Sequence, residues 1–389
     1  MLTSFTAAKY VKNNKKILAI TITINAAILI FMKFLPYTNL SIVAPLGIAY
    51  YTLQVISYLV DVYKGKYEYE KNIIDYALYI MYIPHLFIGP IIRYDEIKTQ
   101  LKAKRKITLN NLYDGGIRIL WGLFKKLVIA GRISIIITTI TGNVETYNGM
   151  YALLAMFIYS IQLYSDFSGG IDIVIGVSKI LGINLNENFN SPFMAENIKE
   201  FWRRWHISLS TWLKDYIYIP LGGNRCSKFR QGINVLITFI VSGLWHGVNY
   251  IIWGIAHGIF VLFGDKYKTK YKWINRSINF VIVSILWSFF IWNDNITAIN
   301  MITSIFTNFN FVESCNNILN LGLAIADWIV LIIATIALIK FDGSKYKEKI
   351  KSKTTEQKLI IICTISLIIL VFGIYGIGFN VTEFIYSKF

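Results

Sequence analysis

Apolar runs close to membrane-spanning length recur along this chain, and they constrain its fold more than any other feature. They are Ile17–Met32, Ile42–Val60, Tyr151–Leu163, Ile278–Trp292, Leu323–Ile339 and Leu359–Ile377. A bilayer hydrocarbon core of about 30 Å takes about 20 residues of helix. Only 16% of the residues are charged, against roughly a quarter in ordinary soluble domains. The expectation is an all-α, polytopic membrane bundle of about 9 to 11 segments, some re-entrant or interfacial, around a central funnel or tunnel, built as one domain over residues 1–389.

The net charge of +17 would suit a nucleic-acid binder, but the basic residues fall between the apolar runs. Lys9, Lys12, Lys15 and Lys16 precede the first run, and residues 98–106, 266–276 and 345–358 are basic loops. Residues 37–41, 144–148 and 293–320 are nearly free of Lys and Arg. This is the positive-inside pattern, so membrane lipids are the expected surroundings and nucleic acid is not a partner. It predicts a multi-pass protein of the cell (plasma) membrane with a cytoplasmic N-terminus and an outside C-terminus. Spans are expected at 16–34, 42–62, 116–142, 149–167, 232–249, 250–265, 278–293, 322–340 and 359–377. Both flanks of 73–92 are basic, and Pro84, Gly89 and Pro90 interrupt it, so a re-entrant or broken helix buried against protein is expected there. Lys125 and Lys126 should snorkel or face the bundle.

Residues 166–230 are the least lipid-like part and the expected seat of function. Within them Ile198, Phe201, Trp202, Trp205, Leu209, Trp212, Leu213 and Tyr216 recur at helical spacing, which predicts one amphipathic helix over 198–216 at the membrane interface. Four histidines occur: His85, His206, His246 and His257. His246 sits between Gly243 and Gly247, where glycines permit close approach of a backbone or ligand. A neutral imidazole there can take a proton from a hydroxyl attacking an acyl carbonyl. His206 follows Arg203, Arg204 and Trp205 and could orient substrate. A hydrogen-bonded structural role is the alternative for each, and it is the expectation for His85 and His257. The scattered Cys226, Cys315 and Cys363 support neither a metal site nor a disulfide framework. The chain has no nucleophile elbow, Walker loop, dinucleotide fingerprint or His-Glu-x-x-His. Asp61, Asp166 and Asp172 lie in or near spans, which leaves a proton-coupled transporter open.

The longer motifs are more specific. They include Pro45-Leu46-Gly47-Ile48, the 57–63 run, Gly89-Pro90-Ile91-Ile92-Arg93, Asp166-Phe167-Ser168-Gly169 and Glu187-Asn188-Phe189-Asn190-Ser191-Pro192. They continue through Glu200-Phe201-Trp202-Arg203-Arg204-Trp205-His206-Ile207-Ser208-Leu209-Ser210, the 212–225 run ending Ile219-Pro220-Leu221-Gly222-Gly223-Asn224-Arg225, and Gly243-Leu244-Trp245-His246-Gly247. In these the chain resembles the membrane-bound O-acyltransferase superfamily, in the branch typified by alginate O-acetyltransferase. The resemblance implies His246 as the family's invariant histidine and His206 as its second. It also implies a thioester donor such as acetyl-CoA, no tightly bound cofactor, no metal, an extracytoplasmic acyltransferase partner and a polysaccharide acceptor. Arg203, Arg204 and Arg225 are the candidates for donor phosphates, with Trp205, Ser210, Asp215, Asn224 and Trp245 as further substrate-binding candidates. Teichoic-acid D-alanyl transfer is the sibling activity, and a lipid or polysaccharide transporter is the non-enzymatic alternative. Two departures stand out. Family members usually begin with one or two further apolar helices, so these are expected to be missing. Ser168-Gly169-Gly170-Ile171-Asp172 replaces the family's more usual tyrosine- or serine-containing version.

Overall fold

The computed structural model describes residues 1–35, 38, 45, 47–86, 88–264 and 268–375, and no strand occurs among them. Leu46 of the first motif, residues 37 and 39–41, residues 266 and 267 of the 266–276 loop and the expected outer C-terminus lie outside the described residues. In chain order the helices begin with α1 (Leu2–Val11), α2 (Lys15–Phe34) and α3 (Ile48–Tyr63). Asn14 starts α2 by accepting from the backbone N–H groups of Lys16 and Ile17. Nearly all of α3 is buried, whereas α2 leaves most of its surface outward. The broken segment follows as α4 (Ile73–Ile80) and the single turn α5 (Ile83–Leu86), then α6 (Tyr94–Lys102). Ile91 and Ile92 are buried between α5 and α6, and the Ile91 N–H donates to Ser208 Oγ at 3.0 Å. A protein hydroxyl therefore satisfies the backbone that lipid would leave bare, as the sequence predicts. The preceding loop is tied to α6 through Glu70. Burial opposes its ionisation, but Lys102 at 2.7 Å, the Tyr94 hydroxyl and the Asn72 N–H hold its carboxyl down at about 2.

The structural axis is a pair of long antiparallel rods. α7 (Leu109–Phe124), a π-helical turn at Lys125–Ala130 and α8 (Gly131–Gly142) run as one rod, and α9 (Met150–Ile180) returns. At 1.5 Å per residue the 31 residues of α9 span about 46 Å, well beyond the expected span of 149–167. Glycines within the pair serve packing. A Cβ on Gly115 would sit 2.6 Å from the Gly176 carbonyl oxygen, and one on Gly122 would sit 2.5 Å from that of Gly169. These two glycine pairs, seven residues apart on each helix, let the backbones touch.

Charges inside this pair are paired with one another. Lys125, only 1% exposed, reaches Asp172 at 2.5 Å, Asp342 at 3.2 Å and Ser168 Oγ at 2.8 Å. Arg118 bridges Asp172 and Glu187, Lys126 pairs with Asp166, and Arg132 with Asp327 at 3.2 Å. Both lysines thus face the bundle, as one of the two expectations had it. Asp166 and Asp172 are ion-pair members that hold helices together.

The site region comprises α10 (Ile198–Arg204), α11 (Ile207–Leu213), α12 (Lys228–His246) and α13 (Ile251–Phe263). The remainder is α14 (Lys272–Leu286), α15 (Ser288–Ile291), α16 (Asn295–Thr307), α17 (Phe311–Asn316), α18 (Ile325–Phe341), α19 (Ser344–Lys351) and α20 (Thr355–Phe372). The low-charge stretch 293–320 is therefore largely helical, with Ser304 Oγ of α16 accepting from the Gly149 N–H at 2.9 Å. Among the described residues, three helices are long and apolar enough to cross a bilayer by themselves: Lys15–Phe34, Lys272–Ile291 and Thr355–Phe372. The charged α7–α8 rod and α9 are long enough to cross and neutralise their charges internally, so hydropathy alone understates the bundle.

A Gly122→Ala variant, meeting backbone that cannot yield, should lose about 1–3 kcal/mol of stability. Gly116→Ala, whose Cβ meets nothing within 4 Å, should be neutral or stabilising. Thermal unfolding in detergent checks the pair, and equal effects would refute the close-contact account.

Candidate active site

His206 stands at a break in the helix that the spacing predicts over 198–216. α10 stops at Arg204, and His206 has φ 43° and ψ 55°, in the left-handed region, as the N-cap of α11. The cause is tertiary. The Asn-rich segment docks on the break: the Asn190 N–H donates to the Arg204 carbonyl and the Ile207 N–H to the Asn188 carbonyl, both at 2.9 Å. Asn188 Oδ1 also accepts from the Ser208 N–H at 2.9 Å. The apolar residues of the segment pack against protein, since Phe201, Trp205, Leu209 and Trp212 are at most 3% exposed, while Arg203 and Lys214 are exposed. Trp205 stacks on Phe201 with ring centroids 5.5 Å apart and lies 5.3 Å from Trp287.

Because Asn188 Oδ1 is taken by a backbone donor, the opposite side of its amide, Nδ2, faces His206 Nδ1 at 3.3 Å. The amide donates there, so the neutral ring carries its proton on Nε2. His206 thereby presents a donor rather than a base.

His246 ends α12, where the N–H of Gly247 returns to the Gly243 carbonyl at 3.0 Å. Gly247 has φ 150°, in the region that favours glycine. Gly243 is needed for a different reason: a Cβ there would meet the Tyr250 carbonyl oxygen at 2.4 Å. α12 and α13 touch through that glycine and through Gly254, whose Cβ would lie 2.3 Å from the Phe239 carbonyl oxygen. The imidazole is ringed by Trp245 at 4.7 Å, Phe290 at 5.4 Å and Trp253 at 5.5 Å. Trp245 is also 6.2 Å from His206, so both histidines lie against the same indole ring. His206 is 2% exposed, while His246 is only half-buried.

A cavity of about 570 Å³ lies among α10, α11, α12 and α13, and neither histidine is among its lining residues. Its inner wall includes Ser210 and Ser242, each four residues, about one helical turn, from His206 and His246 respectively. Lys199, Arg203 and Lys214 also line it, with no carboxylate among the lining residues. Of the sequence-derived candidates, Arg203, Ser210 and Asn224 line this cavity. Arg204 is held by Glu200 at 2.6 Å, and Asp215 by Arg93 at 3.2 Å. Trp205 belongs to the aromatic core, the Trp245 indole N–H donates to the Ala49 carbonyl at 3.2 Å, and Arg225 is exposed on the turn after Gly222 and Gly223. His257 is fully buried and accepts from the Trp202 indole N–H at 3.3 Å. The side chain of His85 lies outside the described residues.

Three participants escaped the sequence reading. Asn188 positions His206, and Lys199 and Lys214 add charge to the cavity. The Asn-rich polarity of 184–190 amid apolar sequence was the available signal for the first, whereas the two lysines gave none.

The fold and this site meet known proteins at a definite place. The profile of the membrane-bound O-acyltransferase family matches residues 69–307, which contain both histidines, and the chain belongs to that family. A Pseudomonas aeruginosa protein named probable alginate O-acetylase AlgI is 39% identical over 265 residues, covering 66% of this chain and 50% of the relative. The peptidoglycan O-acetyltransferase of Helicobacter pylori is 35% identical, covering 65% and 55%. The teichoic acid D-alanyltransferase of Bacillus subtilis is 32% identical, covering 64% and 67%. The chain spans about half the length of the alginate O-acetylases it matches.

Asn188→Asp keeps an acceptor for the Ser208 N–H but removes the donor to His206 Nδ1, forcing the ring proton onto Nδ1. Acyl transfer should fall about 10²-fold or more while expression and elution profile persist. Undiminished transfer would remove the tautomer argument.

Proposed function

We propose that this chain is the membrane component of an O-acetyltransferase that carries an acetyl group from a cytoplasmic thioester, such as acetyl-CoA, toward a hydroxyl of a cell-surface or exported polysaccharide. The observation that carries the reading is the pair of histidines in contact with the same Trp245 ring, with His246 half-buried and a cation-lined cavity whose wall includes Ser210 and Ser242, one helical turn from each histidine. Lys199, Arg203 and Lys214 suit the phosphates of the donor, and the apolar wall suits its pantetheine arm. In the transfer, His246 takes the proton of the acceptor hydroxyl as its oxygen attacks the thioester carbonyl. The Nε2–H of His206 suits polarisation of that carbonyl. Collapse of the tetrahedral intermediate breaks the C–S bond, and the imidazolium returns its proton to the leaving thiolate. The surrounding aromatic rings exclude water that would otherwise hydrolyse the donor.

An extracytoplasmic acyltransferase that completes delivery to the glycan is part of the proposal, as is a cell-membrane location with the N-terminus inside. Higher identity to the O-acetylating relatives than to the D-alanyltransferases favours acetyl over D-alanyl.

Membranes carrying matched amounts of wild type, His246→Ala or His206→Ala are given labelled acetyl-CoA with the candidate partner. Wild type should transfer label, His246→Ala should lose about 10²-fold or more, and His206→Ala should lose a comparable amount. Transfer only from carrier-bound D-alanine would establish the sibling activity. Transport of glycan or lipid unaffected by loss of both histidines would establish the transporter.

A further inference from the structure

A second cavity, of about 400 Å³, lies among α7, α9, α18, α19 and α20 and shares no described lining residue with the one lined by Arg203 and Ser210. Its chemistry changes along its length. At the end nearest the basic loops it is lined by Arg118, Lys179, Lys347 and Lys351 together with Asp114 and Glu187. Further along α20 the wall is Ile360, Ile361, Thr364, Ile365 and Ile368, facing Trp121 and Phe124 of α7. From Ile360 to Ile368 that apolar wall rises about 12 Å. We propose that this groove holds one anionic phospholipid of the leaflet that faces the basic loops, its headgroup on the lysines and an acyl chain along α20.

The charge balance favours an anion. Asp114 is engaged by Lys358 at 2.7 Å, and Glu187 by Arg118 at 2.6 Å and Lys347 at 3.0 Å. The Asp172 carboxylate beside Arg118 is already shared with Lys125. Lys179 donates to Asn184 Oδ1 at 3.1 Å, and Lys351 has no carboxylate within ion-pair distance among the described residues. Two cations at the mouth therefore lack a counter-charge, which a zwitterionic headgroup would supply only in part.

Position and access favour a lipid. The cationic mouth is formed by the ends of α7, α9, α18 and α20 that carry the basic residues, the level at which anionic headgroups of the cytoplasmic leaflet sit. Basic pockets between spans on that side are known lipid sites. α20 is peripheral, with Ile360 65% and Leu367 61% exposed, so a molecule can enter sideways from the bilayer. A soluble anion would satisfy the lysines and leave the isoleucine wall facing nothing. α19 suits the headgroup level: Lys347 and Lys351 stand one turn apart, as do Tyr346 and Ile350, and all four line the groove.

The full-length protein, purified in a non-ionic detergent, is equilibrated with mixed micelles containing phosphatidylglycerol or phosphatidylcholine, and retained lipid is counted by native mass spectrometry. Wild type should retain phosphatidylglycerol at least about tenfold over phosphatidylcholine. Lys179→Gln/Lys351→Gln should lower that retention about tenfold or more, since each lysine near an anionic headgroup is worth about fivefold. Lys104→Gln/Lys106→Gln, outside the groove, should not. Thr364→Trp should displace the lipid from the apolar wall without altering charge. Equal retention of the two lipids overturns the proposal, as does a groove variant indistinguishable from the loop variant. Competition by glycerol phosphate at concentrations matching the lipid assigns the lysines to a soluble anion and also overturns it. The readout involves no acyl transfer, so its failure is separate from any failure of the acetyltransferase reading.

Discussion

Asp172, buried within α9, carries a carboxylate that hydrocarbon cannot solvate, and the arrangement of the bundle follows from how that charge is met. Arg118 and Lys125 both reach it at 2.5 Å. The first lies on α7 and the second on the π turn that follows, so the pairing fixes the register of one rod against the other. The glycine pairs then bring the two backbones into contact at that register. Lys125 continues to Asp342 at the end of α18, which also accepts from the Trp121 indole at 2.7 Å and from Tyr164. Replacing such a network by apolar residues can be neutral for stability, and here its consequence is alignment. With α7, α9 and α18 held in one register, α9 presents Phe167 edge-on to His206 at 4.8 Å.

The site depends on two helix ends placed side by side. α11 starts at His206 because residues 188–190 supply hydrogen bonds that a continuous helix would have made internally. α12 stops at His246 because Gly247 takes a backbone conformation that other residues rarely adopt. Trp245 spans the gap and is anchored by its indole to Ala49. The proposed acyl transfer demands a base, a donor to the carbonyl and exclusion of water at one point. Helix ends provide such a point, because they bring polar groups into the interior without an unpaired backbone.

Much of this was legible beforehand. The basic loops and apolar runs gave the polytopic bundle, the prolines gave the interruption in 73–92, and the motif residues marked His206 and His246 with the correct family. The misreadings share a cause. Helical spacing over 198–216 is real, but spacing does not register Asn188 and Asn190 competing for the backbone of residues 204–208. The span expected at 149–167 stops short of α9, which continues to Ile180 because its later charges are paired and its glycines pack on α7. The stretch 293–320 looked like a loop because it lacks charge, yet α16 and α17 form within it.

The sequence by itself determined what depends on composition and short-range order: a membrane-embedded all-helical chain and its family. Only the tertiary structure decided which charges neutralise one another, where the 198–216 helix breaks, which ring nitrogen of His206 bears the proton and which candidate side chains face a cavity. Those outcomes rest on contacts between residues tens to hundreds of positions apart, such as Arg93 with Asp215 and Lys125 with Asp342. In a medium without water, every polar group must find its partner within the protein, and no local pattern says which one it finds.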